Sequence, residues 1–519
     1  MELMRTNVRM LKREKEAVSQ VTFDEDYNVP DNRPDVGRNI QYKGKIQVEE
    51  VKASEARVMI GGSLNFQVLY VADDGEGRIC SLEGKVPIEE SINLDGIESG
   101  DKICLKWDME DLNLHLIHSR KLNVRALVTF EAAKEQAEQI SLTTDFQCEG
   151  VSLKKKNLPI LGLHLHNRDT MRVREEFNLA SNKPDIHEIL WDTVDIRGVD
   201  VRAGEGNAVV KGELFVFVLY QDSNGSDTLE WLEYSLPFQK EMDCENGTQD
   251  MIPDMDLTLL TASLSVKPDA DGEERVIQAD IVLEMDLKMY CETTVELLQD
   301  VYHPAREYVP ALSTHVLDQL LVKNYAKCRV NDRIGVENGM GKIFQVCHSD
   351  GEVRIDDSRV IENGIAVDGV VQVKVLYITG DDDMPFYSME AAVPFSQTIE
   401  TPGIDQSCIW HLHTDLEQLS TTMADGNEIE IKAMINLNVL VLRECREDVV
   451  ESIEERELDM EKLKKMPGLV GYVVKPGDTL WDIAKRFYTS VEVIKAVNNL
   501  SSDEIRPKDT LILVKNVER

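Results

Sequence analysis

The stretch Gly62-Ser-Leu-Asn-Phe-Gln-Val-Leu-Tyr70 returns twice along the chain, as Gly212-Glu-Leu-Phe-Val-Phe-Val-Leu-Tyr220 and as Gly369-Val-Val-Gln-Val-Lys-Val-Leu-Tyr377. Alternate positions are apolar in each copy, as in Leu64, Phe66, Val68 and Tyr70. Period-two alternation carried by β-branched and aromatic residues marks a strand with one buried face. A proline follows each tyrosine by 17 residues (Pro87, Pro237, Pro394), with a glutamate four positions before it (Glu83, Glu233, Glu390). Common spacing makes this an internal repeat, one β-rich unit used three times at intervals of 150 and 157 residues. Tyr70, Tyr220 and Tyr377 are therefore expected at equivalent buried places, with the prolines at matching strand starts.

Working outward, Asn32-x-Pro34-Asp35 matches Asn182-x-Pro184-Asp185 at the same 150-residue offset. Proline presets φ and Asx side chains cap backbone amides, so this reads as a turn, with a binding loop as the alternative. The third unit departs from it around Gly339-Met340-Gly341-Lys342. Each unit closes with a long hairpin, turning at Ser119-Arg120, through Asp269–Gly272 and through Ala424–Asn427 into strands that carry Ala126, Ala279 and Ala433. Asp-Gly and Gly-Asn pairs supply the positive φ of tight hairpins. Many short strands and almost no helical period give a mainly β protein of three repeated sandwich-like domains.

One strand face differs between the copies. It carries Asn65 and Gln67 in unit one, Gln372 and Lys374 in unit three, but Phe215 and Phe217 in unit two. That face is expected to be wet in the outer units and covered in the middle one, by another domain, another subunit, or a local helix or loop. Phe215 and Phe217 are thus a candidate interaction surface.

The chain has 519 residues and a net charge of −38, with 57 basic against 95 acidic side chains. Such a surface repels nucleic acid and anionic membranes and suits solubility, a basic partner or a calcium-rich setting. The start has no uninterrupted apolar run and no window is long enough to span a bilayer, so a soluble, cytoplasmic protein is expected. Nine scattered cysteines with no C-x-x-C pair argue against a disulfide framework or a zinc site. Residues 1–20 are locally basic with loose helical spacing, and read as a frayed helix or arm. The expected units span 21–150, 151–305 and 306–460, followed by a charged linker at 461–470 and a terminal module at 471–516.

In that module Tyr472–Val474 reads as a short strand, Pro476-Gly477 as a turn, and Thr479-x-x-Asp482 as a capping box. The helix it opens has Leu480, Ile483, Ala484 and Phe487 on its apolar stripe. Thr489-x-x-Glu492 opens a second helix with Val493, Ile494 and Val497 inward, and Leu511–Val514 is a closing strand. This β-α-α-β order, with its Pro-Gly-Asp-Thr-Leu-Trp-x-Ile-Ala run, closely resembles the LysM domain. The resemblance implies a shallow groove for N-acetylglucosamine polymers between two loops: Gly477, Asp478, Thr479 and Leu480, and Asn499, Leu500, Ser501 and Ser502. Packing is the plainer role for Trp481, and capping for Asp478. Lys508 stands where the family usually has glycine, and is strained if that turn needs positive φ.

No nucleotide-binding, nucleophile-elbow or HExxH motif is present: His187-Glu188 is followed by Trp191 where the second histidine would stand. His164-x-His166 and His411-x-His413 could pair imidazoles on a strand face, but no third ligand is evident and no metal or other cofactor is expected. Three such units followed by LysM resemble SipL, the clostridial family of spore-coat morphogenetic proteins built from SPOCS domains. The resemblance implies a non-enzymatic scaffold in the mother-cell cytoplasm, recruited to the forespore surface and partnered with the coat-basement ATPase SpoIVA and other spore-coat proteins. The competing expectation is a cell-wall or cortex protein that uses LysM to bind peptidoglycan.

Overall fold

The computed structural model describes residues 2–223, 228–336, 341–380, 385–458 and 460–515. Unit one comprises β1 (Glu2–Asn28), β2 (Val36–Ser54), β3 (Arg57–Ala72), β4 (Ile79–Asn93), β5 (Ile103–His118) and β6 (Lys121–Gln147). They form two antiparallel three-stranded sheets, β2-β3-β4 and β1-β6-β5. The sheets face each other over one core that mixes Leu64 and Val68 of β3 with Val124 and Val128 of β6. This is a small β-sandwich.

Unit two repeats it with β7 (Ser152–Asn178), β8 (Ile186–Ala203), β9 (Asn207–Asp222), β10 (Leu229–Asp243), β11 (Ile252–Pro268) and β12 (Glu274–Tyr302). Unit three does so with β13 (Glu307–Gly335), β14 (Ile343–Ile361), β15 (Gly364–Thr379), β16 (Phe386–Glu400), β17 (Cys408–Asp425) and β18 (Glu428–Arg456). The repeated stretch is the central strand of the first sheet each time.

Registers in the three copies coincide. Pro87, Pro237 and Pro394 each pair with the residue after the repeat glycine: Ser63, Glu213 and Val370. The prolines sit inside β4, β10 and β16 rather than at strand starts, which is tolerated because these are edge strands and need no inward N–H. Tyr70, Tyr220 and Tyr377 are fully buried, and burial pushes each phenol up to about 12. Tyr70 donates to the Pro34 carbonyl at 3.1 Å and Tyr220 to that of Pro184 at 3.3 Å, so the strand holds the Asn-x-Pro-Asp turn. Arg120 and Arg275 clamp the same turns, reaching Asp35 at 3.2 Å and Asp185 at 2.6 Å. In unit three, Gly339 and Met340 lie outside the described residues.

The alanines match less well. Counted from the bulges of β5, β11 and β17, Ala126 corresponds to Ile281 and to Ala433, while Ala279 lies two residues away.

The repeat glycines face irregularities in β2, β8 and β14, where the register shifts. A Cβ on Gly62 would stand 2.3 Å from the Gln47 carbonyl oxygen, and on Gly369 2.3 Å from that of Arg354. The bulge brings one backbone onto the next, and only glycine leaves room.

The basic N-terminus is neither arm nor helix. β1 pairs with β6 along its whole length, with register shifts at Met4/Arg5 and Glu14/Glu16. Each shift resets the inside–outside alternation, which is why the stretch lacks a period of two. Its charges meet acidic neighbours, as Lys12 meets Glu138 at 2.5 Å. Likewise β18 runs to Arg456, inside the span expected for unit three, with Val449 and Val450 buried among its glutamates.

The three units close around a shared interior. Ile40 and Leu69, Trp191 and Phe217, and Leu376 and Phe386 form one cluster drawn from all three. Phe217 is fully buried and stacks on His348 of unit three, ring centroids 3.8 Å apart; Phe215 lies under Arg197 at 3.9 Å. The expectation of a wet face in the outer units fails. Gln67 is only 6% exposed and donates to the Leu190 carbonyl of unit two at 3.3 Å. Lys374 of unit three reaches the Tyr42 carbonyl at 3.4 Å. The far halves of the long strands meet in a second shared cluster that includes Met10, Leu142, Ile160, Leu297 and Val449.

Adjacent glycines give a test of this geometry. A Cβ on Gly61 meets nothing closer than 3.7 Å. Gly61→Ala should therefore leave the urea midpoint unchanged, while Gly62→Ala should destabilise by about 2 kcal/mol through overpacking. Equal effects would remove the bulge argument.

Candidate functional site

The terminal module begins after helix α1 (Met460–Lys465) and consists of β19 (Leu469–Val473), α2 (Leu480–Arg486), α3 (Val491–Asn498) and β20 (Thr510–Val514). The strands pair antiparallel, and Ile483, Ala484, Ile494 and Leu513 make the core beneath them. Thr479 caps α2, accepting from the Asp482 N–H at 3.2 Å and donating to its carboxylate at 2.7 Å. Ser490, not Thr489, caps α3 by accepting from Val493 N–H at 3.2 Å. Thr489 is fully buried, and Val497 faces outward at 38% exposure rather than inward.

The two groove loops flank this core. Leu480 is buried within it and Leu500 packs against it, so both are structural as well as candidate contacts. Gly477, Thr479, Asn499, Ser501 and Ser502 are exposed. Asp478 is half-buried and spent locally: its carboxylate accepts the Tyr472 hydroxyl at 2.6 Å and the Lys475 N–H at 2.9 Å. These bonds hold its pKa below the usual carboxylate value, the Tyr472 bond first.

Backbone conformation explains two positions. Asn499 ends α3 with φ +53°, which asparagine tolerates and alanine resists. Lys508 has φ +81°, so its turn does need the left-handed region and lysine carries a strain of about 1 kcal/mol. Its N–H is fixed to the Val474 carbonyl at 2.8 Å.

Trp481 packs against the module's core, as expected, and also reaches beyond it. Its indole N–H donates to Asp300 of β12 at 2.7 Å, beside Lys485, which reaches both oxygens of that carboxylate at 2.7 and 2.9 Å. Sequence reading missed this contact, since nothing local distinguishes an inward tryptophan from one buried by a neighbouring domain.

A second concavity, a cleft of about 880 Å³, lies where units two and three meet, with Lys106 of unit one on its rim. Its polar groups serve each other. Buried Asp254 of β11 takes His413 at 2.6 Å and His411 at 3.2 Å from β17, and Asp256 takes the other nitrogen of His413 at 3.3 Å. Burial pulls His413 down, yet the bonds to Asp254 and Asp256 outweigh it and raise its pKa to about 9. Burial would raise Asp254, but the two histidines hold it well below the usual carboxylate range. The other histidine pair is also engaged, His164 with the Glu245 carbonyl and His166 with Asp286, both at 2.7 Å. Among the described residues no group of three or more potential metal ligands occurs.

The repeated glutamates have structural partners in two copies: Glu233 lies 3.4 Å from His348, and Glu390 2.9 Å from Lys374. Among the described residues no helix is long and apolar enough to cross a membrane.

The SipL SPOCS-domain family model matches residues 35–117, 185–267 and 342–424, and the LysM-domain model matches 472–514. Each SPOCS match covers four strands, β2–β5 in unit one, and leaves the two long flanking strands outside. No curated protein and no solved structure matches the chain.

The Asp254–histidine contact should make the joint between units two and three sensitive to base. Folding raises the His413 pKa above its ordinary 6.5, so its contribution is whole below pH 6.5 and is lost as pH rises through about 9. The Asp254 contribution is present above the ordinary carboxylate value and is lost only in strong acid. The thermal midpoint should fall between pH 6.5 and 9, and His413→Gln should flatten that fall. Identical slopes for the two proteins would remove the contact from this account.

Proposed function

We propose, for a chain that belongs to the SipL family by its three SPOCS domains and terminal LysM domain, that it is a non-enzymatic scaffold of sporulation. In this reading it tethers a SpoIVA-like coat-basement ATPase to the forespore surface from the mother-cell cytoplasm. The observation that carries the reading is the merging of three repeats into one body through shared buried clusters. Inward faces spent on each other leave outer surfaces and the exposed LysM loops for partners. Nine free cysteines, four of them buried, fit a reducing compartment. Phe215 and Phe217 then serve the joint between units rather than an external partner.

The LysM match favours a second reading, binding of peptidoglycan or N-acetylglucosamine oligomers, and the same loops would carry it. The backbone of this module selects the probes. Asn499→Gly removes a side chain without opposing φ +53°, and Ser501→Arg with Ser502→Arg adds bulk at exposed positions. Capture of a purified SpoIVA-type ATPase by the full chain should fall about tenfold, close to 1.4 kcal/mol, in the double arginine variant. Its circular dichroism should be unchanged. Micromolar binding of N-acetylglucosamine oligomers, with ATPase capture untouched by these changes, would contradict the scaffold reading and favour the glycan one.

A further inference from the structure

The three long outer strands end in corresponding tips, each beginning at a bulge. The extra residue is Thr144 in β6, Gln299 in β12 and Glu451 in β18. Counted from there, Tyr302 of unit two stands where unit one has Gln147 and unit three has Glu454. Gln147 and Glu454 are exposed, as a strand end in water should be. Tyr302 is only 4% exposed, because the LysM module covers it. Its ring meets Trp481 edge to face, with centroids 4.7 Å apart.

Beside it, Asp300 accepts the indole N–H of Trp481 and the ammonium of Lys485. The corresponding Asp145 of unit one instead faces Lys155 at 3.4 Å, and unit three has exposed Ser452. Only the second tip combines an aromatic face with a carboxylate directed at the module. LysM is joined to unit three, whose last strand ends at Arg456, yet it lies on unit two. Arg456 pairs with Glu307, one tight turn from Tyr302, so the chain delivers the module to this end of the body and the side chains of the tip then hold it.

We propose that the tip of β12 is a dedicated internal receptor for LysM. Asp300 and Tyr302 grip the α2 face of the module, so that it is carried as a fixed head, with its two groove loops exposed, rather than on a free tether. An aromatic edge-to-face pair with a half-buried charge-assisted bond beside it is a common composition of a small interface's anchor. This holds whatever the groove binds.

Transverse relaxation of LysM amides in the intact chain tests it. A docked module relaxes with the whole 58.8 kDa body; a tethered one tumbles nearly as a small domain. Two variants on opposite sides of the contact guard against a local folding defect: Lys485→Glu on the module, and Tyr302→Gln, which installs the unit-one residue. Each should lengthen LysM relaxation times several-fold while the module's shifts stay dispersed and those of the three units are unmoved. Sharp LysM signals in the unaltered chain, or broad ones that persist in both variants, would overturn the proposal.

Discussion

Phe217 of the second unit lies against His348 of the third, and around that pair the buried faces of all three central sheets converge. Burying a side chain of this size is worth roughly 1.5–3 kcal/mol, and the shared clusters do so at several places at once. A lone unit would expose Trp191 and Phe217 as an apolar patch on one sheet face. The middle copy therefore depends on its neighbours, and polar side chains at the joint are drawn in with it. Gln67 and Lys374 are kept there because backbone carbonyls of the adjoining unit satisfy them. Lys288 and Glu135 make a buried pair at 2.9 Å between units two and one, a contact that favours one arrangement more than it adds stability.

The internal repeat was legible because its markers are steric. Gly62 and Gly369 are required where a bulge presses on the next strand, Gly212 where the Phe238 ring lies over it, and the prolines can sit only on an edge. Tyr70 and Tyr220 recur because the turn carbonyls of Pro34 and Pro184 need a donor. The LysM module was legible for a similar reason, since capping residues and turn glycine follow from helix ends rather than from partners. What stayed hidden depends on residues far apart in the chain. Register shifts along β1 broke its alternation, Arg120 and Arg275 lie at unequal distances from the repeat because their hairpin turns differ in length, and Trp481 finds its partner 181 residues away.

The family match and the structure divide each unit differently. SPOCS covers the four inner strands, whereas the long strands outside it build the second shared cluster and end in the tip that receives LysM. Strand lengths of 27–29 residues are far beyond the ordinary, and their far halves make sense only as an assembly device between copies. In the proposed scaffold reading, function follows from rigidity, because surfaces held in one frame keep fixed distances. Base should loosen this frame at His413, whose proton is bound more tightly while units two and three are joined.

Differential scanning calorimetry of the intact chain measures this dependence most directly. If the three units stand or fall on their common clusters, they melt in one transition whose calorimetric and van't Hoff enthalpies agree, with LysM alone free to melt apart. Three resolved transitions, one for each unit, would contradict the account.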